Sequence, residues 1–205
     1  MKFGFKKSEL DGSESLFVAP ESLSLPETFS LKEFLPKIID QGSNPICVPC
    51  SLSANINWKL NLSDGNNDTD NDVDLFQIFG NGGDESGMSF KDAFKFLKMK
   101  GVDTNQGTFR INNYGMIKNI LSLKYAIYLH GPCVGALPVY DTYSSDFWNK
   151  RYGNFLGGHA IAIVGWDNEG FIIRNSWGKS YGNKGYSVIP YNDINYFYEI
   201  WTIIQ

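Results

Sequence analysis

The chain has 205 residues, 42% hydrophobic and 15% aromatic, enough to bury a core in one domain or in two small lobes that share one. Its formal charge of −4 comes without any basic block or stripe, which excludes a nucleic-acid partner, and no apolar run is long enough to span a membrane. Three scattered cysteines make no disulfide framework, so a reducing compartment is expected.

Residues 1–24 read as a polar, extended lead-in without the apolar core of a signal peptide, which points to the cytoplasm of a host cell or to a virus particle. From Cys47 to about Leu60, Leu52, Ile56 and Leu60 recur at four-residue intervals and predict a helix with one buried face. Pro49 falls in its first turn, where a missing N–H costs little. The following stretch, 61–74, carries Asp64, Asp68, Asp70, Asp72 and Asp74 among asparagines. It lacks the central glycine and closing glutamate of a calcium loop and reads as solvated, so no metal and no cofactor are expected.

A glycine-rich loop, 81–87, leads into a helix over 89–100 with apolar Phe90, Ala93, Phe94 and Leu97 and a stop at Gly101. A second amphipathic stretch runs from about Tyr114 to Leu129 and ends at His130-Gly131-Pro132. Short runs rich in Val, Ile and aromatics follow at 133–140, 159–166, 170–174, 185–190 and 197–204, separated by turn residues. Helices first and strands second predict an α+β fold in two segregated lobes.

Four residues carry the chemistry. A cysteine at a helix start gains thiolate character from the unpaired N–H groups and the helix dipole, and Cys47 has that place. His159 would stabilise the thiolate and protonate a leaving amine, and Asn175 would hold the imidazole in one tautomer. Gln41, six positions before Cys47, would supply one oxyanion donor beside the Cys47 backbone N–H. Trp177 is placed to shield the His–Asn pair. Cys50 and Cys133 read as buried small hydrophobes, and His130 as a helix-end residue.

These residues resemble the papain-like cysteine peptidases, above all the short form found in bacteria and their viruses. The match lies in Asp40-Gln41-Gly42 with Cys47, in the run from Gly158 to Trp166, in the run from Phe171 to Gly178, and in the ending from Ile189 onward. The resemblance implies a papain-like domain over 25–205, with a helical left lobe at about 40–112 and an antiparallel, barrel-like β lobe at about 113–205. It implies a cleft between them that binds an extended peptide or protein substrate, with Gly83, Gly87, Gly158 and Trp177 on its walls, and it leaves the oligomeric state open.

The activity so implied is peptide hydrolysis through a Cys47 thioacyl intermediate. A catalytically silent binding or virion module and an acyl transferase are the alternatives. The sequence departs from the pattern in Pro45-Ile46 before the cysteine, Val48 after it, and Asn44 and Gly80 where secreted relatives have a disulfide. The lead-in is also too short for the long inhibitory prosegment of lysosomal relatives.

Overall fold

The computed structural model describes residues 3–20, 23–65, 69–141 and 153–204. Three helices come early: α1 (Cys47–Asp64), α2 (Leu75–Phe79) and α3 (Phe90–Met99). A short ribbon of β2 (Val102–Thr104) and β3 (Gly107–Phe109) follows, then α4 (Ile120–His130) between strands. The main sheet joins β1 (Phe29–Ser30), β4 (Asn113–Met116), β5 (Cys133–Tyr140), β6 (Phe155–Trp166), β7 (Gly170–Arg174), β8 (Tyr186–Pro190) and β9 (Glu199–Ile204). Its order is β4-β9-β5-β6-β7-β8, every pairing antiparallel, with β1 on the far end of β6. The fold is α+β as expected, and the barrel-like lobe is an open sheet whose outer strands β4 and β8 do not pair.

Helix α1 continues to Asp64, where Gly65 at φ 68° closes it by donating to the Asn61 carbonyl. It is also buried on more than the one face predicted, because it lies between the two cores. Leu52 and Ile56 join Phe90, Phe94 and Trp201 on one side, while Ala54 meets Val164 and Ile172 of the sheet. Small polar residues make this second face buriable. Ser51 and Ser53 donate to carbonyls one turn back, and Asn55 Nδ2 donates to Pro132 O at 2.7 Å.

The amphipathic reading over 114–129 is corrected at its start. Residues 113–116 pair with β9, and the helix begins only after Asn119, whose side chain caps Ser122 N at 2.7 Å. Helix α2 escaped the sequence reading because five residues are too few to show a period.

The Asn/Asp stretch is also less solvated than expected. Asn71 is fully buried and donates to Asn57 Oδ1 and Asn61 Oδ1 at 3.2 and 2.8 Å, while Gln106 Nε2 donates to its own Oδ1. Asp68 lies outside the described residues. Among the described residues no group of three or more His, Cys, Asp or Glu side chains is placed to hold a metal ion. Replacing Asn71 with Ala strands the buried Asn61 Oδ1, while the backbone N–H of residue 71 still holds Asn57 Oδ1, so chemical denaturation should show a loss of about 2 kcal/mol.

Candidate active site

Cys47 is the first residue of α1, and its N-cap, Ile46, offers no side-chain hydrogen bond. The first intrahelical bond is Cys50 N to Ile46 O at 3.0 Å, so the N–H groups of the first turn before it remain directed at the helix end where the thiol sits. His159 lies in β6, and Asn175 is the residue after β7. The antiparallel register that sets Ala162 opposite Arg174 brings the two side chains together. His159 Nε2 stands 2.7 Å from Asn175 Oδ1, which also accepts from Ser176 N at 2.7 Å. With that oxygen as acceptor, Nε2 carries the hydrogen and Nδ1 is the nitrogen that exchanges a proton. Trp177 stacks on the imidazole at 4.5 Å between centroids, and Tyr181 meets Trp177 edge-on.

Gln41 is fixed by the same segment. Its backbone N–H donates to Ser176 O at 2.8 Å, its Oε1 accepts from Ser176 Oγ at 2.6 Å, and one amide hydrogen goes to Asn44 O at 2.9 Å. Two further backbone ties, Asp40 with Trp177 and Gly178 N to Ile39 O, lock the glutamine loop to the asparagine loop. A glutamine held by three contacts would need little reorganisation to serve as an oxyanion donor. Gln41→Ala should therefore lower kcat about 100- to 1000-fold with a small change in KM, measured on any peptide the protein cleaves.

The cleft beside Cys47 is occupied by the start of the chain itself. Phe5 N donates to Gly158 O at 3.0 Å, Lys6 N to Met88 O at 3.0 Å, and Met88 N to Gly4 O at 2.9 Å. The segment is thus a strand between the lobes, parallel to Met88 and antiparallel to Gly158. Phe3 meets both His159 and Trp177 edge-on at about 6 Å. Gly4 is required there, since a Cβ would stand 2.2 Å from Pro45 O. The Cys47 sulfur faces the backbone N–H groups of Gly4 and Ala160. The Gly4 N–H faces the thiol, so this segment lies across Cys47.

Burial shapes the proton inventory. Desolvation pushes the Cys47 thiol up to about 11 against the pull of those N–H groups, and it pushes His159 down to about 4 against the pull of Asn175. Both groups are neutral in this occluded form. Opening the cleft returns them toward their ordinary values of 9.0 and 6.5. His159 then takes up a proton on opening between pH 6.5 and 4, so acid favours the open form, and the occlusion it supports is complete only above 6.5. Cys47 loses a proton on opening between pH 9.0 and 11, so base favours it too. Protection of the Phe5 and Lys6 amides in hydrogen exchange, corrected for intrinsic rates, should be greatest between these limits.

Of the expected cleft residues, Gly158, Trp177 and Gly87 touch the occupying segment. Gly87 has φ 114°, and a Cβ on it would meet Gly4 O at 2.0 Å. Gly83 contacts its own turn instead: its N–H donates to Phe79 O, and its Cα faces the Phe79 ring. Met88 is the residue of this loop that pairs with the segment at residues 4–6. A buried methionine after a glycine offers no sequence signal for that role. Cys50 and Cys133 are buried free thiols, and Asn44 and Gly80 leave no disulfide between the two loops.

A helix that begins at Cys47 packs on the strand that carries the His159–Asn175 pair. The profile of the papain family of cysteine proteases matches residues 84–199, more than half of the chain. The chain belongs to that family. The matched span includes His159 and Asn175, whereas Cys47 and Gln41 precede it and are tied to the site by the contacts above.

Among relatives, a gut-specific cysteine proteinase of Caenorhabditis elegans is 36% identical over 92 residues, 42% of this chain and 28% of that protein. A probable cysteine proteinase of Invertebrate iridescent virus 6 is 25% identical over 143 residues, 51% of this chain and 32% of that one. The aligned regions thus span about a third or less of those relatives. In fold, the chain is similar to xylellain, a cysteine protease from Xylella fastidiosa, with TM-score 0.83 and 21% identity over 99% of this chain and 96% of that one. The procathepsin B of Trypanosoma congolense follows with TM-score 0.80 and 18% identity over 98% and 85%.

Proposed function

We propose that this chain is a cysteine peptidase that hydrolyses peptide bonds in an extended protein or peptide substrate, held latent by residues 3–6. The observation that carries the reading is the His159–Asn175 pair at 2.7 Å, stacked under Trp177, with His159 on β6, the strand that packs against α1. In the open form Cys47 Sγ gives its proton to His159 and attacks the scissile carbonyl. The Gln41 amide and the Cys47 N–H hold the oxyanion, and the imidazolium protonates the leaving amine. Water activated by the same imidazole then releases the acid. A substrate strand is expected to pair with Gly158 and Met88, the two edges that the chain start occupies. A peptide-library cleavage profile with Cys47→Ala as control tests it. Cleavage that depends on Cys47 supports the reading, and tight peptide binding without turnover in the opened protein refutes it.

A further inference from the structure

The sequence Cys47-Val48-Pro49-Cys50 places a second thiol three residues after the first, in the opening turn of α1. Helix geometry sets their Cα atoms roughly 5 Å apart, inside the range a disulfide bridges. Side chains at this spacing share a face, and both thiols border the same residue of β6. Ala160 N–H points at Cys47, and Ala160 lines the small cavity that Cys50 shares with Arg174, Asn175 and Ser176. Cβ atoms three apart in a regular helix stand somewhat wider than a disulfide needs, about 5–6 Å. Release of the single Cys50 N to Ile46 O bond at the helix end would supply that slack. Arg174 adds a charge beside Cys50. It is buried, and among the described residues it has no carboxylate partner; its guanidinium donates to Pro36 O, Lys37 O and Tyr186 Oη. Its charge favours thiolate at Cys50 against the burial that raises that thiol.

We propose that Cys47 and Cys50 form a reversible disulfide when the protein meets a peroxide, masking the nucleophile and sparing it from irreversible oxidation. The proposal rests on the reading of Cys47 as the reactive thiol. In the open form the Cys47 thiolate attacks one peroxide oxygen, the O–O bond breaks, and Cys47 becomes a sulfenic acid as hydroxide leaves. Cys50 sulfur then attacks Cys47 Sγ, the S–O bond breaks, and water leaves. Two thiols and one peroxide yield one disulfide and two waters, and an external thiol reverses the step.

The test treats the full chain with hydrogen peroxide at pH 7.5, alkylates it under denaturing conditions and digests it with trypsin. Cleavage after Lys37 and Lys59 isolates residues 38–59, which hold Cys47 and Cys50 and no other cysteine. The expected product is this peptide about 2 Da lighter than its dithiol and unalkylated, with Cys133 alkylated, and restored by dithiothreitol. Cys50→Ser, with Cys50→Ala as a second variant should serine disturb packing, is expected to gain about 32 Da at Cys47 as sulfinic acid that dithiothreitol does not reverse. A wild-type peptide carrying sulfinic acid at Cys47 and alkyl at Cys50, or a bridge involving Cys133, overturns the proposal. The masses report on the pair independently of turnover. A clean Cys47–Cys50 bridge in a protein that cleaves no peptide when opened would therefore refute the peptidase reading and leave the disulfide standing.

Discussion

Gly4→Val is expected to open the cleft and raise the rate at which iodoacetamide labels Cys47 by about 100-fold at neutral pH. Three backbone hydrogen bonds hold residues 4–6 between Gly158 and Met88, each worth about 1 kcal/mol net, which leaves roughly one molecule in a hundred open. A Cβ at position 4 would stand 2.2 Å from Pro45 O, in backbone that cannot yield without moving the start of α1. The strand has to leave. Peptide turnover should rise by the same factor as labelling, because both report the open fraction. An unchanged labelling rate would show that the segment does not limit access.

His159→Ala in the opened protein is expected to lower kcat/KM by about 10⁴-fold or more, since the proposed mechanism makes it both the base that forms the thiolate and the acid that frees the amine. Asn175→Ala should cost less, about 100-fold, because the imidazole remains and loses only its hold at 2.7 Å. The two losses should not add in the double variant, since Asn175 acts through His159. Steady-state kinetics on one peptide, with stability measured alongside, separate this from general unfolding.

The elements that carry the site were the legible ones. The strands at 159–166 and 170–174 hold long apolar runs between turn residues, and Ser89 and Gly101 punctuate α3, so local rules suffice for them. Where long-range contact decides, the sequence was silent. Residues 113–116 have the same composition whether they continue a helix or pair with β9, and only the partner strand settles it. Asn61 and Asn71 look like solvated loop residues until Asn57 and Gln106 meet them.

The greatest gap concerns Phe3-Gly4-Phe5. Nothing in that tripeptide announces an occupant of a cleft more than forty residues away in sequence, although the glycine between two aromatics is what the narrow passage beside Pro45 demands. Nor does the spacing of Gln41, Cys47, His159 and Asn175 announce the state of Cys47 in the fold, a neutral thiol under a lid of its own chain.

The most direct measurement of the central claim is the alkylation rate of each cysteine, read by mass in the Gly4→Val protein with and without His159→Ala. Cys47 should react far faster than Cys50 or Cys133, and His159→Ala should slow Cys47 while leaving the other two unchanged. Equal rates for the three thiols, or a Cys47 rate indifferent to His159, would contradict it.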